Sequence, residues 1–405
     1  MFKNECILTI NGGSSGIKFS IYKIEEPVRL LFKGQLENVV NLNAKLSFEN
    51  SVTHQKSSFK IQAADQNEAV DQLIDWLEMQ EGFSAVKAIG HRIVHGMDHT
   101  GPELITPGLL RELKKISAFD PDHLPEEIRL IEVFGERYSS LKQVACFDTS
   151  FHTSMPMVAK LLSIPRRYYE KGIKRYGFHG LSYSFLIEEL NRLEGNAVAT
   201  GKLILAHLGS GAGLAAVKAG KSIDTTMGFT PASGLMMGTR TGDLDPGVAW
   251  YLMQFEKLSP KEFNHLINHE SGLLGVSETG SDMRELMEIE DTDLRAAEAI
   301  ELFCYQTKKW IGSFAAVLGG LETLVFTGGI GEHSPEVRSK ICDGLEFLGI
   351  ELDEIKNMNN EAIISTEESR VTVRVITTNE EVMIAQLVNE SLNKSLIGLH
   401  EINKN

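Results

Sequence analysis

Two stretches of the chain, well separated in sequence, share one pattern. ILTINGGSSGIKFS (7–20) and ILAHLGSGAGLAAV (204–217) align without a gap, placing Ile204, Leu205, Gly209 and Gly213 on Ile7, Leu8, Gly12 and Gly16. Each reads as an apolar strand, a glycine turn and an alternating strand. Repetition of a whole hairpin at this separation predicts two similar halves rather than a solenoid of short repeats. The turn chemistry narrows the choice further. A Walker loop needs a lysine directly after its last glycine and then a helix. Here Lys18 comes two residues after Gly16, and a strand follows. A dinucleotide fingerprint fails at 209–213, because its third glycine comes one residue early and Gly220 would interrupt the helix. What remains is a hairpin whose turn can offer backbone N–H groups and the hydroxyls of Ser14 and Ser15 to an anion, with ordinary turn chemistry as the alternative.

The length of 405 residues allows two or three domains. A formal net charge of -15, with 40 basic against 55 acidic side chains, argues against a general nucleic-acid or anionic-membrane binder, while leaving room for a local cationic cleft. The apolar part of MFKNECILTING is too short for a signal sequence, and FAAVLGGLETLVFTGGIG is broken by Glu322, so no membrane span is expected. Cys6, Cys146, Cys304 and Cys342 lack metal-ligand spacing, and buried free thiols in a cytoplasmic protein are expected.

A third glycine cluster, LVFTGGIGEHSPEVR (324–338), follows a strand-like run, with Ser334-Pro335-Glu336 as a helix start. Residues 294–318 have helical spacing, so 281–340 alternates helix, strand and helix as an α/β layer does. VRVITTNEEVMIAQLVNESL reads as a strand, a polar turn and a helix capped by Thr378 or Asn379. Between these elements lie polar stretches that set Arg, His or Asp beside glycines or aromatics: GHRIVHG (90–96), CFDTSFH (146–152), KRYGFHG (174–180), DTTMGFTPASGLMMGTRTGDLDPG (224–247) and TTNEE (377–381).

Taken in order, the motifs RYGFHG, MGFTP, GLMMGTR, FTGGIGE and TNEE resemble those of the acetate kinase family, within the acetate and sugar kinase and actin-like superfamily, from Ile10 to Ala385. The resemblance implies an α/β chain with a duplicated actin-like ATPase (ribonuclease H-like) fold. It implies one domain of 1–150 with a returning helix at 382–405, a nucleotide-binding domain of 151–381, and an active-site cleft between the two. It implies phosphoryl transfer from ATP to acetate, giving acetyl phosphate and ADP, with magnesium (manganese as the alternative metal) as cofactor. A homodimer is implied too, with neither nucleic acid nor membrane as partner. By the same resemblance Asp148, His179 and Arg240 are catalytic, and Arg92, Val94, Phe178 and Pro231 hold the acid. Lys18, the run His207, Leu208, Gly209, Ser210 and Gly211, the run Asp282, Met283 and Arg284, and the run Gly328, Gly329, Ile330, Gly331 and Glu332 contact nucleotide. Asn11 and Glu380 stand on the metal side, with Glu381 adjacent.

These residue types suit the reaction. Phosphoryl transfer asks the protein to position reactants and neutralise charge, and guanidinium groups grip carboxylate and phosphate oxygens in bidentate fashion. A short carboxylic acid is already ionised near neutral pH, so Asp148 is expected to orient Arg240 or a metal-bound water rather than to remove a proton. Departures from the family pattern stand at Gly16, Met97, Asp122, Leu181, Tyr183, Ser210 and His333. An acid at Asp122, where the family has a pocket leucine, would be costly to bury. It opens propionate or another short acid as the alternative substrate, or else a different local alignment of the loop. A nucleotide-binding regulator without transferase activity is the alternative of a different class.

Overall fold

The computed structural model describes residues 5–13, 16–37, 44–63, 65–80 and 82–402, with side chains up to 394. Ser14 and Ser15, expected to present hydroxyls, lie outside the described residues. The chain divides into two compact units, Met1–Ser150 with Asn379–Asn405 and Phe151–Thr378. The return to the first unit begins at Asn379, so Glu380 and Glu381 belong to it.

The first unit holds β1 (Cys6–Gly13), β2 (Gly16–Lys23), β3 (Arg29–Glu37), β4 (Lys45–Asn50), β5 (Lys56–Lys60), β6 (Val86–Ile93), β7 (Glu103–Leu104) and β8 (Lys142–Phe147). They form one sheet of order β5-β4-β3-β2-β1-β6-β8-β7. Strand alternation decides its two faces. Leu8, Ile10, Ile17, Phe19 and Ile21 bury on one side against Leu73 and Ile74 of the helix Gln66–Glu78 and Leu130 and Phe134 of the helix Leu124–Arg137. The helix Glu380–Ile402 packs on β1, β2, β6 and β8. It comes so near β6 that a β-carbon on Gly90 would stand 2.5 Å from a methyl of Ile384 and 2.6 Å from one of Val388.

The second unit holds β9 (Lys202–Leu208), β10 (Ala212–Lys218), β11 (Lys221–Thr225), β12 (Thr323–Thr327) and β13 (Thr372–Val375), in the order β11-β10-β9-β12-β13. Its first three strands are antiparallel, and β12 runs parallel to β9 and β13. In the first unit β3-β2-β1-β6-β8 repeats this order and these directions. The repeated sequence pattern is thus the opening hairpin of a duplicated five-stranded α/β sheet, the actin-like arrangement.

The gapless alignment stops at the turn. Ile7 pairs with Tyr22, fifteen positions on, whereas Ile204 pairs with Ala216, twelve positions on, so the second strands are displaced by three residues. The helix Leu294–Leu318 forms over the range its spacing predicts. Pro335 opens the helix Pro335–Cys342. Of the two candidate caps for the returning helix, Asn379 does the capping, its Oδ1 accepting from Val382 N at 3.0 Å. All four cysteines are free and buried. Among the described residues no helix is long and apolar enough to cross a membrane.

Candidate active site

In the first unit the site is built around one guanidinium. Arg92 lies near the end of β6, between β1 and β8. Its Nε and Nη2 both donate to Asp148 Oδ2, at 3.0 and 2.6 Å, and Nη1 donates to the Gly12 carbonyl at 3.3 Å. Asp148 is fully buried just past β8. Glu380 Oε2 stands 4.0 Å from Arg92 Nε. The Asn11 amide donates to Glu380 Oε2 at 3.0 Å and to Glu381 Oε1 at 3.1 Å, so it ties both acids of the returning helix to β1. Burial works against the charged guanidinium, but the facing carboxylates Asp148, Glu380 and Glu127 outweigh it and raise its pKa. Asp148, Glu380 and Glu381 against Arg92 leave a net charge of -2 in this cluster.

Sequence reading missed Glu127. It is buried on the helix Leu124–Arg137, and its two carboxyl oxygens face the Val94 N–H at 3.2 and 3.0 Å. Burial raises its pKa well above the ordinary 4.5, opposed by Arg92 and the Val94 N–H and reinforced by Asp120 and Asp148. Of the two alternatives for Asp122, the different local alignment of the loop agrees with the structure: Asp122 is exposed, and Leu124 enters the apolar cluster with Ile93, Ile128 and Phe147. Two other departures have local causes. Met97 adopts φ 48°, a left-handed conformation in which the family's glycine is less strained. A β-carbon on Gly16 would meet the Leu36 carbonyl at 2.2 Å, so this hairpin requires glycine there.

The second unit brings together His179, His207, Gly211 and Arg240. The imidazoles of His179 and His207 stack with centroids 4.2 Å apart. A β-carbon on Gly211 would lie 3.4 Å from His179 Nε2 and 3.7 Å from Arg240 Nη1, so the missing side chain leaves the space between them open. Arg240 Nη1 also donates to the Pro231 carbonyl at 3.4 Å. Phe178 and Pro231 are buried in this unit, and Val94 is buried in the first.

The runs expected at the nucleotide differ in character. Leu208 ends β9, and Gly209, Ser210 and Gly211 form the turn, with Ser210 exposed. Gly328 passes close to β9, where a β-carbon would meet the Leu208 carbonyl at 2.7 Å; Gly329 is exposed and Ile330 and Gly331 follow in the same short helix. Glu332 is buried and acts as a brace, its Oε1 accepting from Thr327 Oγ1, Gly328 N and Thr378 N. Thr378 Oγ1 meets Ser182 Oγ at 2.8 Å, and Ser182 Oγ meets His207 Nδ1 at 2.9 Å. Asp282 caps the helix Met283–Ile289 and pairs with the exposed Arg284, while Met283 is buried. Lys18 is exposed on β2.

Glu127→Gln keeps an acceptor for the Val94 N–H but removes the titration. A carboxyl whose folded pKa is raised contributes most below its unfolded value, and stability falls as pH rises from 4.5 through the folded value. Urea unfolding between about pH 5 and 8 is expected to show this fall in the wild type and its loss in the variant; parallel curves would refute it.

The model of the acetokinase family matches residues 6–386. The chain is 40% identical over 391 residues to the acetate kinase of Rhodopseudomonas palustris (strain TIE-1), covering 95% of this chain and 98% of that protein. It is 41% identical over 391 residues to the acetate kinase of Thermoanaerobacterium thermosaccharolyticum, covering 94% and 97%. Among solved structures, a propionate kinase from Francisella tularensis subsp. tularensis SCHU S4 superposes with a TM-score of 0.88 at 35% identity, covering 95% of this chain and 98% of that one. The acetate kinase of Porphyromonas gingivalis gives 0.83 at 34%, covering 94% and 98%. With the duplicated sheet and the motifs in place, the chain belongs to the acetokinase family.

Proposed function

We infer that the protein is an ATP-dependent acetate kinase, reversibly transferring the γ-phosphoryl of ATP to acetate to give acetyl phosphate and ADP. The observation that carries this reading is the pairing of Arg92 with a fully buried Asp148, in a chain of this family. Asp148 fixes the Nε and Nη2 edge of the guanidinium and Gly12 holds Nη1, while each Nη keeps a second N–H to offer a substrate carboxylate. The substrate needs no base, because it is ionised at neutral pH. Asp148 is therefore read as the group that orients Arg92, in place of the orientation of Arg240 or of water expected from sequence.

His179 and Arg240, flanking Gly211, supply donors for the phosphoryl oxygens as charge develops in transfer. Lys18, His207 to Gly211, Asp282 to Arg284 and Gly328 to Ile330 are assigned to nucleotide. Gly331 and Glu332 are assigned to holding that turn in shape. Val94, Phe178 and Pro231 are assigned to the acid's apolar part.

Magnesium fits the donor set of the first unit. Asn11 and Glu380 offer hard oxygen donors in a cluster with a net charge of -2, and this ion needs only one or two carboxylates besides water and phosphate. Among the described residues no group of three or more His, Cys, Asp or Glu could hold a metal by itself. When bound, the ion supplies neutralisation of phosphate charge; manganese is the alternative. Propionate is the second reading of the acid, favoured by the structural likeness to a propionate kinase. A regulator without transferase activity is less well supported, since Arg92, Asp148, His179 and Arg240 are all present.

We also propose a homodimer. The helix Pro246–Phe255 buries none of its residues and exposes Val248, Trp250, Tyr251 and Phe255, more apolar surface than an isolated helix face normally shows water. The four buried free cysteines support a cytoplasmic location, which cell fractionation would check.

Turnover with Mg-ATP is expected to yield an acyl phosphate trapped by hydroxylamine, strongest with acetate, weaker with propionate and butyrate, and stopped by chelation of the metal. Arg240→Ala is expected to lower it by about 10²-fold or more. A preference for propionate would move the substrate, and ATP binding without product from any acid would overturn the kinase reading. Sedimentation equilibrium is expected to give twice the 44.9 kDa chain mass, reverting to one chain in a Trp250→Glu, Phe255→Glu variant; a monomeric wild type would overturn the dimer.

A further inference from the structure

The face of the first sheet that carries Lys18 continues past the returning helix as an open, polar surface on β2 to β5. Strand pairing arranges it in three rows, because directly opposed residues share a face. The middle row is Lys18, Gln35, Ser47 and Ser58. The row on one side is Ser20, Lys33, Glu49 and Lys56, and on the other Glu37, Lys45 and Lys60. Small hydroxyls thus run between two rows that bear lysines. The lining residues enclose a groove of about 590 Å³.

Three features separate this groove from a generally solvated face. First, its sign opposes that of the chain. Leaving aside Lys18, which is assigned to nucleotide, Lys33, Lys45 and Lys56 against Glu49 and Glu381 give a net lining charge of +1 in a protein of net charge -15. Second, two of the cations converge: Glu49 Oε2 lies 3.4 Å from Lys33 Nζ and 3.6 Å from Lys56 Nζ, so one acid draws ammonium groups from both neighbouring strands. Third, the spacing suits a compact ligand. At about 3.4 Å per residue and about 4.8 Å between strands, Lys33, Lys45 and Lys56 surround Ser47 within the reach of a lysine side chain. Edge strands often carry lysine simply to discourage pairing, which accounts for Lys56 and Lys60 on β5. It does not account for Lys18, Lys33 and Lys45, which sit on inner strands.

We propose that this groove is a binding site for a small anion bearing two or more phosphate groups, apart from the residues assigned to the nucleotide's glycine turns. Hydroxyls of Ser47 and Ser58 and the ammonium groups of Lys33, Lys45 and Lys56 recognise the phosphate oxygens. The surrounding negative charge disfavours a long polyanion. Glu381 closes one end of the groove and also accepts from Asn11 at 3.1 Å.

The test is direct binding of inorganic pyrophosphate to the full chain by isothermal titration calorimetry, at low and raised salt, with and without saturating ADP. A Lys33→Gln, Lys45→Gln, Lys56→Gln variant is compared with a Lys114→Gln, Lys218→Gln, Lys261→Gln control that removes equal charge elsewhere. Expected is a salt-sensitive site that persists with ADP, weakened at least tenfold in the groove variant and unchanged in the control. Equal binding by wild type and groove variant, equal weakening in both variants, or loss of all pyrophosphate binding under ADP would each overturn the proposal. Because the readout is binding and not turnover, failure of the kinase reading would leave this result interpretable.

Discussion

A buried guanidinium has to be neutralised where it stands, and the first unit is organised by how Arg92 meets that demand. Its place on β6, parallel to both neighbours, sets it beside the Gly12 carbonyl at the end of β1 and beside Asp148 just past β8. The returning helix then brings Glu380 and Glu381 to Asn11. Taking an ion pair out of water costs several kcal/mol per ion unless further hydrogen bonds compensate, and here all three guanidinium nitrogens have acceptors. The carboxylates outnumber the cation, which prepares the cluster for additional positive charge. Burial on the same side pushes the Glu127 carboxyl up, against the opposing pull of Arg92 and the Val94 N–H.

The second unit solves a different problem, that of holding glycine turns in shape without filling them. Glu332 gathers donors from Thr327, Gly328 and Thr378, and the hydroxyls of Thr378 and Ser182 carry the connection to His207. The brace therefore joins the ends of β9, β12 and β13, the carboxyl ends of the parallel strands, where open α/β sheets bind ligands. His179 stacks on His207 and faces Arg240 across Gly211. A polar network of this kind fixes side-chain direction more than it adds stability.

Local patterns in the sequence carried much of this. The hairpins, the helix Leu294–Leu318 and the cap at Asn379 follow from periodicity and capping chemistry over a few residues. Contacts distant in sequence were not legible. Glu127 looked like one more acid in a helix's first turn, and only the approach of Val94 from β6 gives it meaning. The family resemblance sets Glu332 with the nucleotide-contacting run, and no local pattern shows that its carboxylate also braces the backbone. The motif around Asp122 leaves two alternatives, a different pocket or a different local alignment, and only the helix start at Leu124, with that leucine turned inward, decides between them. The three-residue displacement between hairpins escaped because glycines aligned while the strand pairing did not.

In the proposed reaction Asp148 acts through Arg92. A double-mutant cycle on kcat/KM for acetate, with Arg92→Ala, Asp148→Asn and the pair, tests it most directly. If Asp148 serves to orient Arg92, the loss in the double variant falls well short of the product of the single losses. Multiplication of the two losses would mean the residues act independently, and the account of this site would be wrong.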